Sequence, residues 1–580
     1  LNSVVMRKIY MTFAAALFAV AAFAQPLARN HQANGQITSP LRYQAQSVPQ
    51  SWQKTDFLLP NFGKARPMLA PNLQVTDDMQ MIVDQPEGTL YHNYYGVNSG
   101  FEVFFGTVIS TTVDGVAQDF VIADDGTMYI KNIMATLGPN VWVKGQKTGD
   151  DVYTFTFPQK YYKQPVYDEN HEETSEFEDF YLFRMKINDA GNSFIPDTES
   201  QDIRFAFRND SLIRLDDNSD GVVLALATAD GEWVGFADFA SEWHKEKAPI
   251  EAPSASATVS DYMITYGNDE NDRDAALVKV ALEGDGFYIS NLSGSNPDAW
   301  AKGKVDGDKV VFDGMKYLGV DPVLGYHTYF APSGQQKVTW EDYDYTFDSI
   351  CVNKELVFAY DRTANTLKSE TNFLVNAGKN VVYKVNEYEK PMLTPWKEEA
   401  GTPKDPSVFE FMPYESEYGY GCMQIHVNKE STDGKLLNPN KLFYNLYFDG
   451  DLFTFYPDEY AALVDEITDV PIDFTDNNDI VKKGTNRKIY YFLQGMTTVG
   501  VQEIYKDGDT TYKSNLVSYK VDERGNLTGI SRDITTGSEE VKSVSYTDLA
   551  GRRISKPAHG IFLKTVKYAD GSQKTVKYVR

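Results

Sequence analysis

One stretch of this chain occurs twice, and that repetition limits what the chain can fold into more than any other feature. Asp125-Gly126-Thr127-Met128-Tyr129-Ile130-Lys131-Asn132 is followed by Trp142-Val143-Lys144-Gly145 and then by Gly149-Asp150-Asp151-Val152. Further on, Asp285-Gly286-Phe287-Tyr288-Ile289-Ser290-Asn291 is followed by Trp300-Ala301-Lys302-Gly303 and then by Gly307-Asp308-Lys309-Val310. The Trp-to-Gly and Gly-to-Gly-Asp spacings are the same in both, and the Tyr-to-Trp spacing differs by one residue. Two homologous modules account for such a match. Each motif reads as a strand carrying Tyr129 or Tyr288, a loop, a strand opened by Trp142 or Trp300, and a Gly-Asp hairpin turn. The tryptophans read as core anchors, because packing demands the same residue at the same place in both modules and a buried Trp hides about 150–250 Å².

The rest of the chain points to an all-β protein. Tyr153, Phe155 and Phe157 alternate with Val152, Thr154 and Thr156, the period of a strand with one aromatic face, stopped by Pro158. Similar runs occur at Glu102–Ser110, Val310–Phe312, Asn380–Val385, Lys441–Phe448 and Lys488–Leu493. The exception is Pro457–Ile467, where Tyr460, Leu463, Val464 and Ile467 fall at helical spacing and predict one short amphipathic helix. At roughly 100 to 200 residues per domain, 580 residues make three or four domains. The expected organisation is a signal peptide at 1–24, an extended lead-in at 25–75, and a first β module at 76–247. A linker at 248–258, with Pro249 and Pro253, leads to the second module at 259–390. A stiff Pro-rich joint at 391–406 leads to a third module at 407–520, which holds the helix, and a small unit at 521–580 closes the chain. The module lengths suit tandem β-sandwiches better than propeller blades, which repeat every ~40–50 residues.

Charge and leader set the compartment. Arg7 and Lys8 precede the apolar stretch Ile9–Phe23, and Ala22-Phe23-Ala24 places small residues where a signal peptidase reads them, so Gln25 is the expected first mature residue. Leu1–Val5 stand ahead of Met6, which predicts translation from Met6. The stretch is short of the ~20 residues a membrane span needs, and nothing else in the chain approaches one. With 55 Lys and Arg against 82 Asp and Glu, net charge −27, the surface repels phosphate backbones and nucleic acid is not an expected partner. Cys351 and Cys422 are the two cysteines. In an oxidising compartment they could pair or stay free, but two cysteines cannot staple a chain this long.

The C-terminal end differs from what precedes it. Residues 541–580 hold nine Lys and Arg against two Asp. Tyr546-Thr547-Asp548-Leu549-Ala550-Gly551-Arg552-Arg553-Ile554 leads to Gly560-Ile561-Phe562-Leu563, and Asp570-Gly571 sits between two alternating strands, a strong hairpin signal, with Lys574 in the last strand. This unit resembles the C-terminal sorting domain of proteins exported by the Gram-negative type IX secretion system. Its matching positions are Asp548, Leu549, Gly551, Arg552, Arg553, Gly560, Ile561 and Lys574. The resemblance implies a small β-sandwich-like domain that engages the secretion machinery. It also implies passage across the outer membrane, removal of the domain, and release or attachment to surface lipopolysaccharide. The third module looks like modules of uncharacterised secreted proteins with the same signal, which implies no activity.

No catalytic residue can be nominated. A nucleophile elbow, a phosphate loop and a His-Glu-x-x-His helix are all missing; His171-Glu172 comes nearest but reaches Ser175 at the fifth position. Asp216, Asn218, Asp220 and Gly221 open like a calcium loop, but the twelfth position is Ala227, and the surroundings read as a hairpin turn. Weak surface calcium is the one cofactor left open. Tyr91, Tyr94 and Tyr95, then Trp340, Tyr343 and Tyr345, then Tyr414, Tyr418 and Tyr420 stand among glycines and acids, where flat rings could stack on sugars or serve cores and cross-strand pairs. The expected function is a noncatalytic, exported, surface-attached protein that binds a glycan or protein or serves as an envelope component. A secreted hydrolase with a carboxylate-based site and a structural polymer subunit are the alternatives.

Overall fold

The computed structural model describes residues 73–579, except 77, 105–106, 135–136, 168–172, 189–192, 217–220, 268–272, 341–344, 416–418, 458, 461, 476–478, 523–525, 534–540, 549–551, 555–560 and 569–572. The signal peptide and nearly all of the lead-in lie outside them. The chain divides into two compact units, one of residues 1–261 with 278–394, the other of 262–277 with 395–580. Both are built of strands, in line with the aromatic and β-branched composition.

In the first repeat, eight antiparallel strands close a ring. Thr89–Phe104 pairs with Thr107–Ile122, followed by Thr127–Lys131, Trp142–Lys147, Val152–Thr156, Asp202–Arg208, Ser211–Arg214 and Trp233–Lys245, which returns to Thr89–Phe104. The second repeat closes its own barrel from Val259–Tyr266, Asp274–Glu283, Gly286–Ser290, Trp300–Asp306, Lys309–Asp313, Glu355–Asp361, Thr366–Lys368 and Met392–Pro395. The stretch expected as a stiff joint therefore begins with a barrel strand. Even the insertions match. Between the fifth and sixth ring strands the first repeat inserts Gln159–Tyr167, Glu173–Ile187 and Phe194–Pro196, which pair in series. The second repeat inserts Lys316–Asp321, Tyr326–Trp340 and Tyr345–Val352 at the same place. Val222–Ala227 and Asn372–Ala377 then join the long central strand of each inserted sheet. The homology inferred from one short motif thus extends through the whole pairing scheme, and the expected tandem modules are rings with an appended sheet.

The motif residues explain the local geometry. Tyr129 lies opposite Lys144, and Tyr288 opposite Lys302. Asn132 and Asn291 both take a positive φ, 49° and 62°, ending each first motif strand in a conformation that Asn tolerates. Gly145 and Gly303 leave room for an aromatic ring across the ladder: a Cβ would stand 2.6 Å from Phe155 and 2.9 Å from Phe312, respectively. Phe155 and Phe157 are buried, as the alternating pattern demands. Trp142 is buried too, whereas Trp300 is half-buried. The ring core gathers Phe120, Ile130, Phe155, Phe205 and Trp243, with Phe205 and Trp243 stacked at 5.3 Å.

The third module is a sandwich. One sheet runs Ser407–Glu415, Tyr420–His426, Asn486–Tyr491, Ile480–Lys483, and the other centres on Leu442–Phe448 and Thr498–Asp507. Met423, Ile425 and Ile489 of the first meet Tyr444, Leu446, Val499 and Val501 of the second in one core. Leu527–Asp533 pairs with Leu516–Val521, so this sheet continues past residue 520. The helix expected at Pro457–Ile467 is not formed. Phe455 and Ile467 pair as a β-bridge with N–H···O distances of 2.8 and 3.0 Å, which holds them about 5 Å apart. A helix over that span would separate its ends by about 15 Å. Turns close the loop instead, burying Tyr460 and leaving Val464 90% exposed.

If the motif glycines are packing devices, Gly303→Ala should lower the unfolding free energy by about 1–3 kcal/mol through overpacking against Phe312. Equilibrium urea unfolding measures this directly, and a wild-type midpoint would contradict it.

Candidate functional site

The C-terminal segment forms its own four-stranded antiparallel sheet. Val541–Asp548 pairs with Arg553–Ile554 on one side and Ile561–Tyr568 on the other, which in turn pairs with Gln573–Val579. The hairpin expected around Asp570-Gly571 is present in its flanking strands, with Lys567 opposite Gln573. Asp548 faces Phe562 across the ladder, Ile561 faces Val579, and Lys574 faces Val566. Arg552 and Arg553 are exposed. Leu549, Gly551 and Gly560 lie outside the described residues, as do Ala22, Ala24 and Gln25 of the expected cleavage site. Among the described residues this unit is a single sheet, without a second layer.

The candidate aromatics are placed cluster by cluster. Trp340 and Tyr345 are opposite each other at the end of a hairpin in the first unit, and Tyr343 is outside the described residues. Tyr414 packs against the third module's core, and Tyr420 meets Tyr490 edge-on at 5.1 Å; Tyr418 is not described. Tyr91 stacks on Phe120 at 4.7 Å, and Tyr94 meets the same ring edge-on at 4.9 Å, so that cluster is core. Asp216 is committed to protein: Oδ1 accepts from Arg184 at 3.3 Å and Oδ2 from the Arg204 N–H at 3.0 Å. Asn218 and Asp220 lie outside the described residues. Cys351 is half-buried in the first unit and Cys422 buried in the second, each with a free thiol in this structure; burial pushes the Cys422 thiol up to about 11. No helix among the described residues is long and apolar enough to cross a membrane.

The charged groups that the structure does bring together were not singled out by sequence. In the first unit, the turn Gly378-Lys379-Asn380 of the second repeat wraps the buried carboxylate of Asp114 in the first. Asp114 Oδ2 accepts from the Lys379 and Asn380 N–H groups at 3.0 and 2.8 Å, and Oδ1 from the Asn380 side chain at 2.8 Å. A Cβ on Gly378 would lie 2.4 Å from Asp114 Oδ2, and one on Gly115 would lie 2.5 Å from the Gly378 Cα. Lys379 Nζ sits 4.3 Å over the Tyr95 ring and donates to Glu246 at 2.7 Å, where the Tyr329 hydroxyl also donates at 2.7 Å. Burial pushes the Glu246 carboxyl up, but Lys379, the Ala248 N–H and Tyr329 outweigh it and hold it at about 2. Beneath lies His327, fully buried, its Nδ1 2.8 Å from the Tyr317 hydroxyl and its ring against Tyr95 at 5.2 Å. Burial lowers it to about 4, so it is neutral at pH 7. The only sequence signals here, Asp114-Gly115 and Gly378-Lys379-Asn380, look like ordinary turns.

A second cluster lies in the other unit. Lys429, 2% exposed, reaches Asp274 at 2.8 Å and Asp473 at 2.9 Å; Lys482 and Arg487 complete the group. Burial pushes the Asp274 carboxyl up, but Lys429, Lys482 and Arg487 prevail and hold it far below the usual carboxylate range. Glu503 is different. It is wholly buried on the core face between Val501 and Tyr505, and Oε1 accepts from the Asn428 N–H at 2.6 Å. Burial pushes its carboxyl above the usual carboxylate range, against the opposing pull of the Asn428 N–H and Arg487. Lys429, Lys482, Arg487, Asp274 and Asp473 satisfy one another, as structural networks do, whereas among the described residues Glu503 Oε2 and His327 Nε2 find no hydrogen-bond partner. No protein-family model matches the chain, and no curated protein matches it.

Two outcomes follow from these charges. The folded pKa of Glu503 is raised, so its cost is absent below about pH 4.5 and grows as pH rises. Glu503→Gln should therefore raise the third module's melting temperature more at pH 7 than at pH 4, in thermal unfolding measured at both pH values. His327 and Glu246 are depressed. The first unit should lose stability as pH falls from 6.5 toward 4 as His327 takes a proton, then further from 4.5 toward 2 as Glu246 does. The lower limb should shrink in Glu246→Gln, Asp197 and Glu242 supplying the rest, and a limb of unchanged size would count against the assignment.

Proposed function

We propose that this is an exported protein of a Gram-negative bacterium whose last residues, 541–580, are a type IX sorting signal and whose preceding modules are the passenger. The observation that carries the reading is the segregation of the C-terminal sheet. Its strands pair only with one another among the described residues, and its basic composition departs from an otherwise acidic chain. A sorting signal must be an autonomous, accessible element, and exposed Arg552 and Arg553 meet that need. The leader Arg7–Ala24 supplies the first membrane crossing in this reading.

The passenger in this proposal is a noncatalytic binding or envelope component at the cell surface, attached to lipopolysaccharide or released. Closed rings hold their loops on pre-formed strands, and pre-ordered loops bind with little ordering cost. Glycan is the first ligand class to test and protein the second.

Deleting residues 541–580 in a host with type IX machinery should leave the passenger folded in the periplasm. Cell fractionation and immunoblotting read the outcome. Undiminished truncated protein at the surface or in the medium would overturn the export reading.

A further inference from the structure

The repeat encodes one more shared position, and it is acidic in both copies. Tyr129 pairs with Val121, and Asp114 stands seven residues before Val121 on the same strand. Tyr288 pairs with Ala281, and Asp274 stands seven residues before Ala281. Both aspartates are buried. Each also has a tyrosine hydroxyl from the first strand of its own repeat beside it: the Lys379 N–H donates to both the Tyr95 hydroxyl at 2.7 Å and Asp114 Oδ2 at 3.0 Å, and the Tyr266 hydroxyl donates to Asp274 at 3.1 Å.

What each carboxylate grips comes from later in the chain. Asp114 takes the backbone N–H groups of Lys379 and Asn380, from the second repeat. Asp274 takes the Lys429 ammonium at 2.8 Å and faces Lys482 at 3.3 Å, from the third module; all of these lie within the second compact unit, to which residues 262–277 belong. The residue after each aspartate is small and is part of the contact. Gly115 allows the backbone of Gly378 to approach, and the Ala275 carbonyl accepts from Lys429 at 2.7 Å. The other shared aspartates behave differently. Asp125 accepts from the Thr127 N–H of its own turn at 2.9 Å, and Asp285 is exposed.

We propose that this aspartate is a docking hook built into the repeat, by which each copy presents a buried carboxylate to N–H donors of the module that follows it. The partner chemistry differs in the two copies, a pair of turn amides in one and an ammonium in the other, and the Gly115 bulge adds a ladder residue in the first, while the sequence offset, the burial and a neighbouring first-strand tyrosine stay constant. Duplication would then have copied the means of joining as well as the fold. Removing the carboxylate leaves buried donors unsatisfied, and that penalty falls on docking more than on the ring itself.

The test uses the full-length protein with Asp114→Ala, Asp274→Ala and the control Asp125→Ala, read by calorimetry and by limited proteolysis with mass spectrometry. Asp114→Ala should split the melting of the two repeats into separate transitions and speed cleavage within 248–258 at least tenfold. Asp274→Ala should lower the third module's transition and open residues 262–277 to protease at least tenfold faster, with the first repeat unchanged. Asp125→Ala should match wild type in both readouts. Should an alanine variant fail to fold, Asp114→Asn and Asp274→Asn keep the volume and one acceptor oxygen and should show the same changes at smaller size. Wild-type melting and cleavage in either hook variant, or equal effects from Asp125→Ala, would overturn the proposal.

Discussion

An eight-stranded antiparallel ring has no open edge only if its last strand finds its first. In the first repeat that closure is the ladder from Tyr94–Lys245 to Glu102–Phe236, interrupted by one bulge at Ser99 and Gly100. Every other feature of the first unit assumes it. The core of Phe120, Phe155, Phe205 and Trp243 can be dry because the ladder satisfies the surrounding backbone groups. The Trp243 indole reaches back to Asn98 at 2.9 Å, a bond that exists only across the closing pair. An open sheet of the same sequence would present a long unpaired edge, which invites pairing with another chain.

The buried charges have a different logic. Asp114 and Glu246 lie where two modules must be held at a fixed spacing, and their acceptor oxygens are filled by amides, a lysine and a tyrosine. Such contacts add modest net stability, because desolvation offsets most of the attraction. Their value is directional: a carboxylate wrapped by successive turn amides fits one approach of one turn. Glu503 has one oxygen filled by the Asn428 N–H and the other without a partner, and burial raises its carboxyl above the usual range.

Much of the fold was legible in the sequence because strand signals are local. The alternation at Val152–Phe157, the paired strands Ile561–Tyr568 and Gln573–Val579 and the strands of the twin Tyr–Trp–Gly motifs each depend on neighbours in sequence, and each is formed, with Trp300 half-buried where a core anchor was expected. Closure into rings was not legible, since it depends on pairing between Thr89–Phe104 and Trp233–Lys245, far apart in the chain. Pro457–Ile467 misled for the same reason: its helical spacing is real, but the Phe455–Ile467 bridge decides the backbone. At the candidate sites the legible part was smaller still. Asp114, Glu246, His327 and Lys379 carry no motif, and only the repeat frame singles out one of them.

Tandem homologous rings carry a folding hazard, because a strand of one copy can pair in the other. The two repeats differ most where that exchange would begin. The first two ring strands have 16 residues each in the first copy but 8 and 10 in the second. A swapped strand would therefore leave part of a ladder unpaired or overhang its barrel. Bulges reinforce the difference, since the first copy shifts register at Gly96 and Val97, where Gly115 takes a φ of +87°. A strand without that glycine cannot adopt the bulge cheaply, and the second copy has Ala275 next to its aspartate. Divergence in strand length thus works against exchange between the rings, while the shared motif keeps both able to close.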